Sequence, residues 1–196
     1  MLGRAIVVLA LALSLAGCAP RGATNGPPRV VVEGDEFSKD VRILGVQILN
    51  NKLFDLEKEH WYLRSFVNPQ ARTTKHQLYA ELTYTGSRNG AYFAADNHAQ
   101  SHTVEVIYRG NCDVISRNEP CSRVDTVGVD LSESLLRANA GQGLEIKISA
   151  RSGYAKILSI TPSMIAAQFN ATQQILSGTV VVGKTVQSGG TIQAGP

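Results

Sequence analysis

Apolar and polar residues alternate with a period of two along much of the chain, the spacing of half-buried β-strands. From Gln77 to Thr85, Leu78, Ala80, Leu82 and Tyr84 share one face, and Gln77, Tyr79, Glu81 and Thr83 share the other. Thr103 to Arg109 sets Val104, Val106 and Tyr108 against Thr103, Glu105, Ile107 and Arg109, and Gly143 to Ala150 sets Leu144, Ile146 and Ile148 against Glu145 and Lys147. Further strands are expected over Arg29 to Glu33, Val41 to Leu49, Trp61 to Val67, Ala91 to Ala95, Ser122 to Val129 and Ala155 to Ile160. Strands with one polar face belong to antiparallel sheets, because parallel strands are usually covered on both sides. About nine such strands at short spacing predict an all-β fold, an antiparallel two-sheet β-sandwich of immunoglobulin-like or related topology.

Two short helices interrupt the alternation. Asp130 and Glu133 have the spacing of a capping box, with Asp130 as N-cap, and Gly141 is placed to end that helix. Thr161-Pro162 reads as a cap followed by proline at the first helical position, opening a helix that runs to Gly178. Ile165, Phe169, Thr172 and Leu176 fall near one face of it and predict a stripe packed over the sheets.

The ends of the chain have a different composition. Residues 1–17 carry a basic start at Arg4, an apolar run from Ala5 to Leu13 and small residues before Cys18, the order of a secretory signal. The run is well short of the roughly 20 residues that a membrane-spanning helix needs. Residues 18–28 read as a Gly- and Pro-rich tether, 29–177 as the folded body, and 178–196 as a Gly-rich, mostly disordered tail with a short edge strand at Thr179 to Val182.

Leu15-Ala16-Gly17-Cys18 resembles the lipobox of bacterial lipoproteins, and the resemblance covers this segment alone. It implies cleavage before Cys18, acylation of that residue with palmitate-class chains, and anchoring of the body to a membrane through lipid. Ala19 follows the cysteine where such lipoproteins commonly carry aspartate for inner-membrane retention, so the implied location is the periplasmic face of the outer membrane.

Charge narrows the partners. The chain of 196 residues carries a formal +3, which falls to +2 once Arg4 leaves with the leader, and its basic residues are scattered. A nucleic-acid partner therefore has no electrostatic footprint. Beyond Cys18 only Cys112 and Cys121 remain, an even pair in an exported protein, which predicts a disulfide.

Signatures of catalysis are missing from the sequence. It contains no Gly-x-Ser-x-Gly elbow and no phosphate-cradling glycine motif. Asp96, His98 and His102 form the only cluster resembling a metal-ligand set, but they lie in an expected polar loop, where a spacing of four places nothing on a common face. Trp61 and Tyr62 are candidates for a stacking platform for sugars, weighed against an ordinary place in the core. The carboxylate pairs Asp35 with Glu36 and Glu57 with Glu59 lack any sequence signal for acid and base roles. The sequence thus predicts a lipoprotein without cofactors that binds or scaffolds a protein partner in an envelope, secretion or surface assembly. The competing expectation is an envelope enzyme or ligand binder acting on peptidoglycan or a metal.

Overall fold

The structure, a computed structural model, describes residues 29–34, 39–51, 58–85, 92–110, 122–179 and 185–187. In chain order the elements are β1 (Arg29–Glu33), β2 (Val41–Leu44), β3 (Ile48–Asn51), β4 (Lys58–Asn68), β5 (Thr73–Thr85), β6 (Tyr92–Asp96), β7 (Ser101–His102), β8 (Val104–Arg109), β9 (Ser122–Leu131), α1 (Glu133–Ala138), β10 (Leu144–Ala150), β11 (Ala155–Ile160), α2 (Pro162–Leu176) and β12 (Thr185–Gln187).

These strands form two antiparallel sheets, an all-β sandwich of the predicted class. The larger sheet has the order β12-β1-β2-β4-β5-β9-β8, with β3 also pairing with β4, and the smaller has the order β11-β10-β6-β7. The long β4–β5 hairpin is its spine: Tyr62 lies opposite Tyr79, Arg64 opposite Gln77 and Ser65 opposite His76. Asn68 closes its turn by accepting a hydrogen bond from the Ala71 amide at 2.8 Å.

One face of the larger sheet is doubly covered. Leu63, Leu78, Ala80, Leu82, Val127 and Val129 meet Tyr92, Ile146, Ile148, Leu158 and Ile160 of the smaller sheet in the main core. Val30, Val32, Val41, Ile43 and Val67 instead meet Ala167, Ala171 and Ile175 of α2. The helix takes the place that a longer second sheet would fill, and each fully buried aliphatic side chain contributes about 1.5–3 kcal/mol. Trp61 ties the layers together, its indole Nε1 donating to the Ser159 carbonyl at 2.9 Å.

The structure corrects several sequence expectations. The predicted strand from Val41 to Leu49 breaks at Gly45, whose amide donates to the Leu63 carbonyl at 2.7 Å. A Cβ there would lie 2.6 Å from both Leu63 O and Gln168 Oε1, an approach that only glycine tolerates and that no periodicity announces. Asp130 is not a helix cap but the penultimate residue of β9. Ser132 is the cap, its hydroxyl accepting from the Leu135 amide at 3.2 Å, and Glu133 pairs with Arg137 one turn on at 2.6 Å.

The Thr161-Pro162 start of α2 holds, with Thr161 Oγ1 accepting from the Met164 amide at 3.3 Å. Its buried stripe is Met164, Ile165, Ala167, Gln168, Ala171, Thr172 and Ile175, so the expected Phe169 and Leu176 fall at its margin. In β8 the register shifts between Val106 and Tyr108, and Val106, Ile107 and Tyr108 are all exposed on this edge strand. An extra residue in an edge strand breaks strict alternation and blunts the edge against further pairing. Within the tail expected to be disordered, Thr185–Gln187 pairs with β1, while 180–184 fall outside the described residues.

Candidate functional site

Both helices and the smaller sheet lie on the inner face of the larger sheet, and among the described residues no element packs over its outer face. Alternation along β4 turns His60, Tyr62, Arg64 and Phe66 to that outer face, and alternation along β5 turns Lys75, Gln77, Tyr79 and Glu81 there. Strand β9 adds Gly128 and Asp130, and β8 adds Glu105.

These side chains are held by one another. The rings of Tyr62 and Tyr79, cross-strand partners, stack with centroids 4.7 Å apart and planes inclined by 27°. His60 stands 5.4 Å from Tyr62 on the other side. Arg64 lies across β5 with its guanidinium 5.1 Å from the ring centres of both Phe66 and Tyr79, while Arg42 lies 5.8 Å from Phe66. Such cation–ring contacts contribute about 0.5–1 kcal/mol each at exposed sites.

Gln77 is the hub of this face, and its exposure is only 1%. Its Oε1 accepts from Nε of Arg64 at 3.0 Å and from Nη2 at 2.6 Å. Its Nε2 donates to Glu105 at 3.1 Å and to Asp130 at 2.5 Å, and Asp130 in turn pairs with Lys75 at 3.1 Å. Gly128 makes room for the hub: a Cβ there would lie 3.1 Å from Gln77 Oε1 and 3.2 Å from Arg64 Nη2. Burial lowers the pKa of Arg64 and raises that of Tyr62. Beside the hub a cavity of about 390 Å³ is lined by Arg64, Phe66, Lys75, Gln77 and Glu105, with Asp40 on its wall.

The residues singled out from sequence are scattered. Trp61 and Tyr62 point to opposite faces: Trp61 is buried in the core, and Tyr62 is the inner member of the outer-face stack, 8% exposed. Asp96, His98 and His102 lie on the β6–β7 hairpin, where Asp96 pairs with Ser101 and Ala95 with His102. The turn is closed by Asn97, whose amide donates to the Gln100 carbonyl at 3.2 Å and whose Oδ1 accepts from the Gln100 amide at 3.1 Å. His98 stands exposed at its tip with φ of 67°, and His102 is half-buried, its pKa lowered by burial against an upward push from Asp96. Among the described residues no three His, Cys, Asp or Glu side chains come together as a metal site. Cys18, Cys112, Cys121, Asp35, Glu36 and Glu57 lie outside the described residues.

A second polar cluster is sealed inside. Ser65 Oγ lies 2.7 Å from His76 Nδ1 and accepts from Gln168 Nε2 at 2.7 Å. The pair resembles a nucleophile and its base, but Ser65 is wholly buried under α2 and no substrate reaches it. Its role is to join the helix to the sheet.

Sequence reasoning missed Arg64, Gln77, Glu105, Asp130 and Gly128 as parts of one site. Alternation marked Gln77 and Tyr79 as outward-facing, but the juxtaposition needs the register of four strands. Compared with known proteins, the chain matches no family model, no curated protein and no solved structure.

Proposed function

We propose that the protein is a non-enzymatic lipoprotein of the bacterial outer membrane, held at the periplasmic face by acyl chains on Cys18, with Cys112 and Cys121 oxidised to a disulfide. The body binds or scaffolds a protein partner of an envelope, secretion or surface assembly. The observation that carries the binding role is the outer face of the larger sheet. A face that only meets water needs no stacked tyrosines, no arginine laid across two rings and no fully hydrogen-bonded buried amide, since ordering long side chains costs up to about 2 kcal/mol each. Here Tyr62, Tyr79, Arg64 and Gln77 are held rigid in advance, as recognition surfaces are. The lipobox resemblance of Leu15 to Cys18 supports the location.

A photo-crosslinking residue placed at Arg42 or Glu81, both on this face, tests the reading in intact cells, with Glu145 and Lys147 of the smaller sheet as controls. A discrete protein adduct from the first pair and none from the second is expected. Equal labelling from all four positions, or none, would overturn it.

A further inference from the structure

Gln77 holds a guanidinium and a carboxylate apart. Arg64 gives it two hydrogen bonds and Glu105 accepts one, so both charges are tied to the same neutral group. The amide cannot swing away, because its remaining N–H is committed to Asp130. Among the described residues neither Arg64 nor Glu105 forms an ion pair, whereas Lys75 and Asp130 meet at 3.1 Å. The cavity therefore sets Arg64 and Glu105 on either side of a rigid amide spacer, near enough to feel each other's charge but not in contact, with Lys75 and Asp40 on the same lining.

We propose that this cavity binds a small zwitterion of the amino-acid class, with the carboxylate on Arg64 and the ammonium on Glu105. A guanidinium fixed on one edge offers its remaining N–H groups to a carboxylate in charge-assisted hydrogen bonds. The Arg64 guanidinium is half-buried and partly desolvated, a cost that an anionic occupant recovers, while the exposed Glu105 adds attraction for the cationic end. Glu105, with Asp40 on the wall, repels polyanions, which separates this site from a phosphate cradle. The volume of about 390 Å³ accommodates an amino acid or a dipeptide. The inference stands on this geometry alone and holds whether or not the chain is lipid-anchored or engages a protein partner.

Isothermal titration calorimetry on the full chain tests it with alanyl-alanine in its L,L and D,D forms, the methyl ester, the N-acetyl derivative and inorganic phosphate. At least one dipeptide form should bind saturably at millimolar concentration, with ester and N-acetyl forms about tenfold weaker or more and phosphate silent. R64Q should abolish binding. E105Q, at an exposed edge position, should keep the fold, weaken the dipeptide and leave the N-acetyl derivative unchanged. If circular dichroism shows R64Q unfolded, E105Q and the two derivatives decide the matter alone. No saturable binding of either dipeptide, phosphate binding as well as the dipeptide, or dipeptide binding insensitive to E105Q would each overturn the proposal.

Discussion

Ser65 Oγ and His76 Nδ1 face each other at 2.7 Å across the β4–β5 pair, both sealed beneath α2. His76 also meets the edge of the Phe169 ring at 5.6 Å, and its Nε2 has no hydrogen-bond partner. Burial holds its pKa below 6.5; Glu133 pushes it up and Arg137 pushes it down, but desolvation is the larger effect. His60 and His102 are lowered by burial as well.

Stability should therefore fall in mild acid. A lowered histidine pKa means that the unfolded chain binds more protons than the folded one as pH drops through about 6.5, so folding free energy is constant above that value and declines below it. The midpoint of urea unfolding, followed from about pH 7.5 to 5, should decrease steadily. H76Q, which retains a partner for Ser65, should flatten the curve. A midpoint that rises toward pH 5 contradicts the assignment of His76 as neutral and buried.

Gly45 should resist substitution. With Leu63 O and Gln168 Oε1 each 2.6 Å from the site of a methyl group, G45A must push β2 from β4 or α2 from the sheet. A loss of about 1–3 kcal/mol is expected from such overpacking. Gly141, with nothing within 4 Å of its Cβ position, is the control, and G141A should lie within about 0.5 kcal/mol of the parent. Equal urea midpoints for both variants would disprove the close approach.

Alternation made the sandwich legible where strands have one wet face, as in Gln77 to Thr85, whose predicted inner set of Leu78, Ala80, Leu82 and Tyr84 is buried to 1% exposure or less. It failed at β8, where an extra residue breaks the period, and at Gly45, where a backbone contact with Leu63 ends a strand that composition would continue. The outer face of the larger sheet was half legible. Outward positions of β4 and β5 follow from period two, yet Gln77 meets Glu105 and Asp130 only because β8 and β9 stack beside β5 in one register. Register is a property of pairing, and no single segment contains it.

The cysteine loop offers a further test. Strands β8 and β9 are paired at Arg109 and Asp125, and the Gly110 amide donates to the Val124 carbonyl at 2.7 Å, so the chain leaves and re-enters the sheet on adjacent strands. Cys112 follows the first of these points closely and Cys121 precedes the second. A bridge between them closes a small loop, and its loss should cost about 2–3 kcal/mol without changing the fold. Mass spectrometry of non-reduced protein from the envelope should find the linked peptide; two free thiols there would refute it.

The anchor is the prediction with the widest consequence, because it decides which side of a membrane the outer face of the larger sheet can search. The lipobox resemblance of Leu15 to Cys18 implies cleavage before Cys18, and the apolar run from Ala5 to Leu13 falls short of the roughly 20 residues a membrane span needs. Each buried methylene of an acyl chain contributes about 0.8 kcal/mol, so more than one chain makes attachment effectively permanent. C18S should leave the chain without label from radioactive palmitate and release it from the membrane pellet, with the β-rich circular dichroism of the body unchanged. Undiminished labelling of that variant would move the acylation site elsewhere, and a body that stays in the pellet without label would mean that the protein, not lipid, holds it there.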